Sequence, residues 1–291
     1  MINKRKGAKA QRHKEGRLKL FLSPAFFAPL CLCAFAFSQN SQVPTELTQV
    51  RFNYGQNIVP YFEGWIRNPD GTFDLVFGYF NRNWKEELAI PAGTDNRVEP
   101  NGPDAGQPTW FLPRRQRWIY RLRVPADFGK KEATWTITTN GKTETAYGNL
   151  LAAQEISERI IRTNGNLDPG EGDTNEPPSI TLPPALTGTT STPLRITVSV
   201  RDDGLPKPRA PRTPKPATPG GFGGQVDRGG PAPARGLTTT WLQIGGPGKA
   251  IFEQTGAAVD VRFSVRGAYR LRAVATDGAQ STTADTVVTV K

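Results

Sequence analysis

Apolar residues recur at every second position through much of the chain, and that period belongs to β-strands. In TFDLVFGYF, the residues Phe73, Leu75, Phe77 and Tyr79 fall on one face. Just upstream, YFEGWIR sets Phe62, Gly64 and Ile66 against Tyr61, Glu63, Trp65 and Arg67. Asn68-Pro69-Asp70-Gly71 joins the two runs, and a proline that presets φ beside a glycine that accepts positive φ predicts a hairpin. RWIYRLRV places Trp118, Tyr120, Leu122 and Val124 on one face and Arg117, Ile119, Arg121 and Arg123 on the other. ATWTITTNGKTETAYG is a second hairpin, because Asn140-Gly141 is a preferred type I′ pair between β-prone runs.

The rhythm breaks after Tyr147. NLLAAQEISERIIR has the Ala, Glu and Leu content of a short helix, and an extended exit strand is the alternative. TNGNLDPGEGDTNEPP then reads as a polar, acidic linker over 164–177. Asn164, Asn166 and Asp168 hint at a calcium loop, but Pro169 stands where such a loop needs glycine and Asn175 stands at its twelfth position. Strand periodicity returns in LRITVSV, VDVRFSV and YRLRAVATD, the last with Tyr269, Leu271, Ala273 and Ala275 on one face, and DTVVTV follows. Short strands at regular spacing predict an all-β fold of two β-sandwich domains, over 44–163 and 178–291. The Pro/Gly-rich, basic insertion at 205–235 is almost free of large apolar residues, so it is expected to be disordered.

Charge sharpens this picture. The formal net charge is +11. Residues 1–38 hold eight Lys or Arg and one Glu ahead of an apolar run, FLSPAFFAPLCLCAFAF, which is the layout of a signal peptide. Cleavage after Ala36 or Ser38 would leave a chain near +4, and the insertion alone supplies six Lys/Arg against Asp227. The high pI therefore belongs to a leader and a loop and gives no support to a nucleic-acid-binding fold. An uncleaved anchor is the alternative, opposed by Pro24 and Pro29. Export to the periplasm, cell surface or medium is the expectation, with no membrane span in the mature chain.

Both cysteines, Cys31 and Cys33, and the one histidine, His13, lie in that leader. A mature chain without them has no disulfide, cysteine nucleophile, Cys/His zinc site or histidine general base. No cofactor, metal ligand or catalytic residue is assigned.

Four features of the last 110 or so residues occur in a telling order: VSVRDDGLP, LTTTWLQIGGPG with Trp241, GAYRLRAVATDG, and DTVVTV. Together they resemble a PKD-type immunoglobulin-like domain over about 178–291, interrupted by the long basic insertion. Tyr269, two residues before Leu271, then sits at the spacing of a tyrosine corner. The resemblance implies a spacer or adhesion module and no catalysis. FGYFNRNW, FLPRR and VPADFG are similar to the amino-terminal region of uncharacterised exported bacterial proteins, which implies a separate module without assigning it a role.

Three surfaces carry candidate chemistry. Residues 50–150 hold five tryptophans, Trp65, Trp84, Trp110, Trp118 and Trp135, and exposed planar rings with amides beside them suit sugar. Trp118 and Trp135 are expected in the core. The candidate ligand-binding residues are Asn81, Arg82, Asn83, Trp84, Trp110, Arg114 and Arg115. The basic run Arg114, Arg115, Arg117, Arg121 and Arg123 could hold an acidic polysaccharide, or could be a solvated face paired with acids. Glu63, Asp74, Glu86 and Glu87 could supply the two acids of a hydrolase. The leading expectation is a non-catalytic binding or adhesion protein with a polysaccharide partner. A scaffold subunit that meets a cell-envelope protein and a carboxylate hydrolase are the alternatives, and export argues against nucleic acid.

Overall fold

The computed structural model describes residues 51–102, 104–165, 174–207, 236–255 and 258–291. The expected signal peptide, nearly all of the Pro/Gly-rich insertion and the residues Asn166 and Asp168 of the weighed calcium loop lie outside them. The fold is all-β, as the alternation predicts. Seventeen strands and two short helical segments make up the regular structure of the described residues.

The first hairpin pairs β1 (Ile58–Arg67) with β2 (Phe73–Asn81), and β2 pairs in turn with β6 (Arg114–Val124), all antiparallel. At the turn, Gly71 donates to Asn68 O at 3.0 Å, and Gly71 has φ 83°. A second sheet holds β4 (Asn96–Glu99), β7 (Ala133–Thr139) and β8 (Lys142–Gly148) in that order. Asn140 and Gly141 join β7 to β8 at φ 52° and 73°, both positive as a type I′ turn requires. A short antiparallel pair joins β3 (Leu88–Ala89) with β5 (Trp110–Phe111). Between the sheets, Leu75, Phe77 and Tyr79 of β2 pack on Phe111, Trp135 and Ile137. The rings of Phe77 and Trp135 meet edge to face at 6.1 Å.

The other face of β2 is buried as well, because the chain after β8 crosses it. A 3₁₀ turn (Ala152–Gln154) and helix α1 (Glu158–Arg162) form there. Ser157 caps α1 by accepting from Ile160 N. Gly64, Val76 and Arg121 share one cross-strand row of the sheet. A Cβ on Gly64 would fall 2.7 Å from Gln154 O and 2.8 Å from the Ile156 side chain, so glycine is what permits the crossing. Arg121 then pairs with Glu158 of α1.

Two bulges correct the simple alternation. Register slips between Phe62 and Gly64, so Trp65 leaves the face of Tyr61, pairs with Leu75 on the core face and is buried, while Arg67 stays on the side of Trp65 and lies over its ring at 5.5 Å. Its indole donates to Leu151 O at 2.8 Å. In β6 the residues Arg117 to Ile119 all lie opposite Gly78, and Trp118 takes φ 50°. Trp118, expected in the core, is therefore half-buried, while Ile119, expected beside the arginines, is buried. Trp135 is core, fully buried and donating to Asn96 Oδ1 at 2.9 Å.

The carboxy-terminal sandwich sets a four-stranded sheet against a three-stranded one. In the first lie β10 (Ala185–Gly188), β17 (Ser281–Val290), β16 (Gly267–Thr276) and β13 (Thr238–Gly245), in that order. In the second, β15 (Ala258–Phe263) lies between β11 (Leu194–Thr197) and β14 (Ala250–Thr255). Strands β9 (Ser179–Thr181) and β12 (Ser199–Arg201) form a separate pair. Ile196, Val259, Val261, Phe263, Tyr269, Leu271 and Val288 fill the core. Tyr269 is fully buried and its hydroxyl donates to Val265 O, four residues upstream, at 2.7 Å. Trp241 is half-buried, stacked on Phe252 at 6.4 Å.

The two sandwiches are joined by more than the linker. Ile244 of β13 belongs to the amino-terminal hydrophobic cluster. Thr109 donates to Ile244 O at 3.0 Å, and Lys249 pairs with Glu87 at 2.7 Å. No helix among the described residues is long and apolar enough to cross a membrane.

Candidate functional site

The segment after β2 runs Asn81-Arg82-Asn83-Trp84, and its side chains divide by role. Asn81 and Asn83 are fully buried. Asn81 donates to Glu86 O at 2.8 Å and to Phe111 O at 3.3 Å, while its Oδ1 accepts from Asn83 N. Asn83 accepts from Gln56 N at 2.7 Å and donates to Gln56 O at 3.0 Å. A primary amide has two donor hydrogens and one acceptor oxygen, and these contacts use both kinds of group on protein backbone. Both residues, expected at a contact surface, instead shape the loop that carries Trp84.

Trp84 is 37% exposed. The guanidiniums of Arg51 and Arg114 lie over its ring at 4.5 and 4.1 Å from the centroid, and Arg114 also covers Phe80 at 4.7 Å. A ring so covered has lost the open apolar face on which a neutral sugar stacks. Arg114 sits at φ 65° where β6 begins, and donates to Arg82 O at 3.3 Å. Arg82 reaches Asn57 Oδ1 at 3.3 Å. None of Arg51, Arg82 and Arg114 has an acidic partner within ion-pair distance among the described residues. Phe52, whose carbonyl accepts from Trp84 N, and Tyr54 are exposed beside them at 52% and 63%.

Trp110 is not part of this surface. It is 7% exposed, in the short β3–β5 pair, and its indole donates to Glu87 Oε2 at 3.0 Å. Two exposed tryptophans side by side would suit a neutral glycan, and burial of Trp110 removes that geometry. Arg115 does lie nearby, over the Tyr61 ring at 4.6 Å, but its charge is engaged by Glu63 at 2.8 Å.

The rest of the basic strand is paired. Arg117 lies 3.8 Å from Glu63 and over the Trp118 ring at 3.9 Å. Arg123 grips Asp74 with two bonds, 2.8 and 3.2 Å. Burial pushes the Asp74 pKa up, but hydrogen bonds from Arg123 and Asn68 and the charges of Arg123 and Arg121 outweigh it and leave the carboxyl below its ordinary range. The four acids weighed as hydrolytic groups are each held: Glu63 and Asp74 by arginines, Glu86 by Gly55 N at 2.7 Å, and Glu87 by Trp110 and Lys249. Among the described residues no group of three or more His, Cys, Asp or Glu is placed to hold a metal ion.

A second concave site was not foreseen. The outward face of β16 carries Arg270, Arg272, Val274 and Thr276, and it faces the bulged stretch Gln116–Arg121 of β6 across a cleft of about 930 Å³. Arg270 donates to Gly106 O and Gln107 O, both at 2.7 Å. Arg272 donates to Ile119 O at 3.0 Å and grips Asp285 with bonds of 2.6 and 2.8 Å. The alternation of YRLRAVATD marks Arg270 and Arg272 as outward, but a single strand cannot reveal what lies opposite.

No protein-family model matches the chain, and no curated protein matches it. Among solved structures, similarity is found to Sidekick-1 immunoglobulin domains 1–4, at 10% identity and TM-score 0.24 over 80% of this chain and 47% of that one. A chimeric titin Z1Z2 gives 11% identity and TM-score 0.24, over 81% of this chain and 98% of that one. The four amino-terminal Ig domains of Dscam1 isoform 4.44 give 11% identity and TM-score 0.25, over 81% and 54%. The chain thus spans about half the length of the Sidekick-1 and Dscam1 chains. Superpositions this poor assign no function.

Proposed function

We propose that this is a non-catalytic exported binding protein whose amino-terminal sandwich holds an acidic polysaccharide, while the PKD-like carboxy-terminal sandwich acts as its spacer. The observation that supports the reading most is the set of three arginines, Arg51, Arg82 and Arg114, without acidic partners around the exposed Trp84. Guanidinium groups bind carboxylates and sulfates through paired donors, and stacking on an aromatic ring holds their planes in place. The ligand is therefore acidic; a neutral sugar would have needed the ring faces and the amides that the protein uses itself. A rigid sheet edge suits the task, since Arg114 belongs to a strand and Trp84 is pinned through Asn81 and Asn83.

The test is retention of the purified protein on immobilised alginate and heparin, with dextran as the neutral control. Retention on the two anionic polymers that is lost in the double variant Arg82→Gln/Arg114→Gln supports the reading, and equal retention on dextran contradicts it. The exposed trio Phe52, Tyr54 and Trp84 favours a second reading, docking of a cell-envelope protein at the same place. Under that reading no polysaccharide is retained, and Trp84→Ala abolishes capture of a specific envelope protein.

A further inference from the structure

We infer that the cleft between the two sandwiches is a binding site for a small organic anion with an apolar body. This site is separate from the Trp84 surface and does not depend on the polysaccharide reading.

The cleft has a charge excess that its own contacts do not neutralise. Five guanidiniums line it: Arg117, Arg121, Arg162, Arg270 and Arg272. Three of them meet carboxylates, Arg117 with Glu63, Arg121 with Glu158 and Arg272 with Asp285. Arg162 and Arg270 meet none within ion-pair distance among the described residues. Arg270 feels Asp285 and Asp104 at longer range, yet burial dominates and lowers its pKa. A guanidinium remains charged even so. Its Nε is buried with no acceptor, a state that leaves a charged group incompletely solvated. An anion in the cleft would supply the counter-charge that Arg270 lacks.

Size and lining decide the class of anion. A volume of about 930 Å³ lies at the upper end of the roughly 300–1,000 Å³ range of small-molecule sites, which favour domain interfaces. Trp118, Ile119, Ile161, Leu242 and Val274 give the walls apolar area, so a bare inorganic ion would leave most of the cleft unfilled. Thr283 and Ser281 add hydroxyls to the lining. The site was hidden from sequence because its lining comes from three separate stretches, within 105–121, 161–164 and 238–285.

Indole-3-acetate is a suitable probe, and the isosteric neutral indole-3-acetamide is its control, both titrated calorimetrically into the purified protein. The proposal expects the acid to bind at least about tenfold tighter than the amide, the difference expected for a charge-assisted contact. Arg162→Gln, which removes no internal bond seen in the structure, should weaken the acid by about tenfold and leave the amide unchanged. Thr283→Trp, at an exposed position of the lining, should crowd the cleft and abolish binding of both without lowering the unfolding temperature. Equal affinity for acid and amide, insensitivity to both substitutions, or no binding of the acid at millimolar concentration each overturns the proposal. Polysaccharide retention by the Arg162→Gln variant separates this site from the Trp84 surface, since it should be unaltered.

Discussion

Arg270 donates a hydrogen bond of 2.7 Å to the carbonyl oxygen of Gly106, 164 residues earlier in the chain. With its second bond to Gln107 O, this one side chain ties the outer face of the carboxy-terminal sheet to the loop that precedes β5. Hydrogen bonds from a charged donor are worth about 1.5–3 kcal/mol each, with strong context dependence. Arg270→Ala should lower the unfolding free energy by about 2–4 kcal/mol in urea titration. Arg270→Lys should recover part of that, because an ammonium can reach one carbonyl but cannot span both. No change in the alanine variant would show that the joint contributes nothing.

Asn96 plays a comparable part inside the amino-terminal core. Fully buried, it donates to Ile90 O at 3.0 Å and Pro108 O at 2.7 Å and accepts from the Trp135 indole. Asn96→Ala would strand three buried groups at once and should cost about 2–4 kcal/mol by the same titration. Trp135→Ala should cost about 3–5 kcal/mol, and Trp84→Ala, at a partly exposed position, well under 1 kcal/mol. Similar losses for the two tryptophan variants would contradict their placement.

Gly78 faces the bulge of β6. A Cβ there would sit 2.6 Å from Gln116 O, a backbone atom, and 2.5 Å from Glu63 Oε1. The carboxylate can move, but the carbonyl cannot move without disturbing the strand pair. Gly78→Ala should therefore cost about 1–3 kcal/mol and shift the near-ultraviolet circular dichroism of Trp118. A neutral substitution would place the bulge elsewhere.

The Asp74–Arg123 pair predicts a pH dependence with a definite sign. The folded carboxyl titrates below its unfolded value of about 3.9, so its contribution is complete above that pH and is lost as pH falls through the folded value. The stability gap between the wild-type protein and Asp74→Asn should therefore be largest near neutral pH and shrink below about pH 4. Urea midpoints for both proteins at pH 7, 4 and 3 check this, and a gap that grows on acidification would refute it.

Period-two patterning made most of the fold legible. Phe73, Leu75, Phe77 and Tyr79 face the core as their spacing requires, and Asn140-Gly141 makes the tight turn that its chemistry demands. Pattern failed where a bulge inserted residues. Trp65 and Trp118 each changed sides after a register slip that depends on what packs above the sheet, namely Ile156 over Gly64 and Glu63 beside Gly78. The candidate surface was only partly legible for a related reason. Amides such as Asn81 and Asn83 look identical in sequence whether they meet a ligand or a backbone, and only burial tells them apart. Stacking of Arg51 on Trp84 joins residues from separate segments, which periodicity cannot register.

Salt separates polysaccharide binding by unpaired arginines from binding by apolar contact. Calorimetric affinity for alginate should fall at least about tenfold between 0.05 and 0.5 M NaCl, since screening shortens the reach of the unpaired arginines. Arg82→Gln/Arg114→Gln should bind weakly at both salt concentrations, with a much flatter dependence. An affinity that ignores both salt and the double substitution would contradict the account.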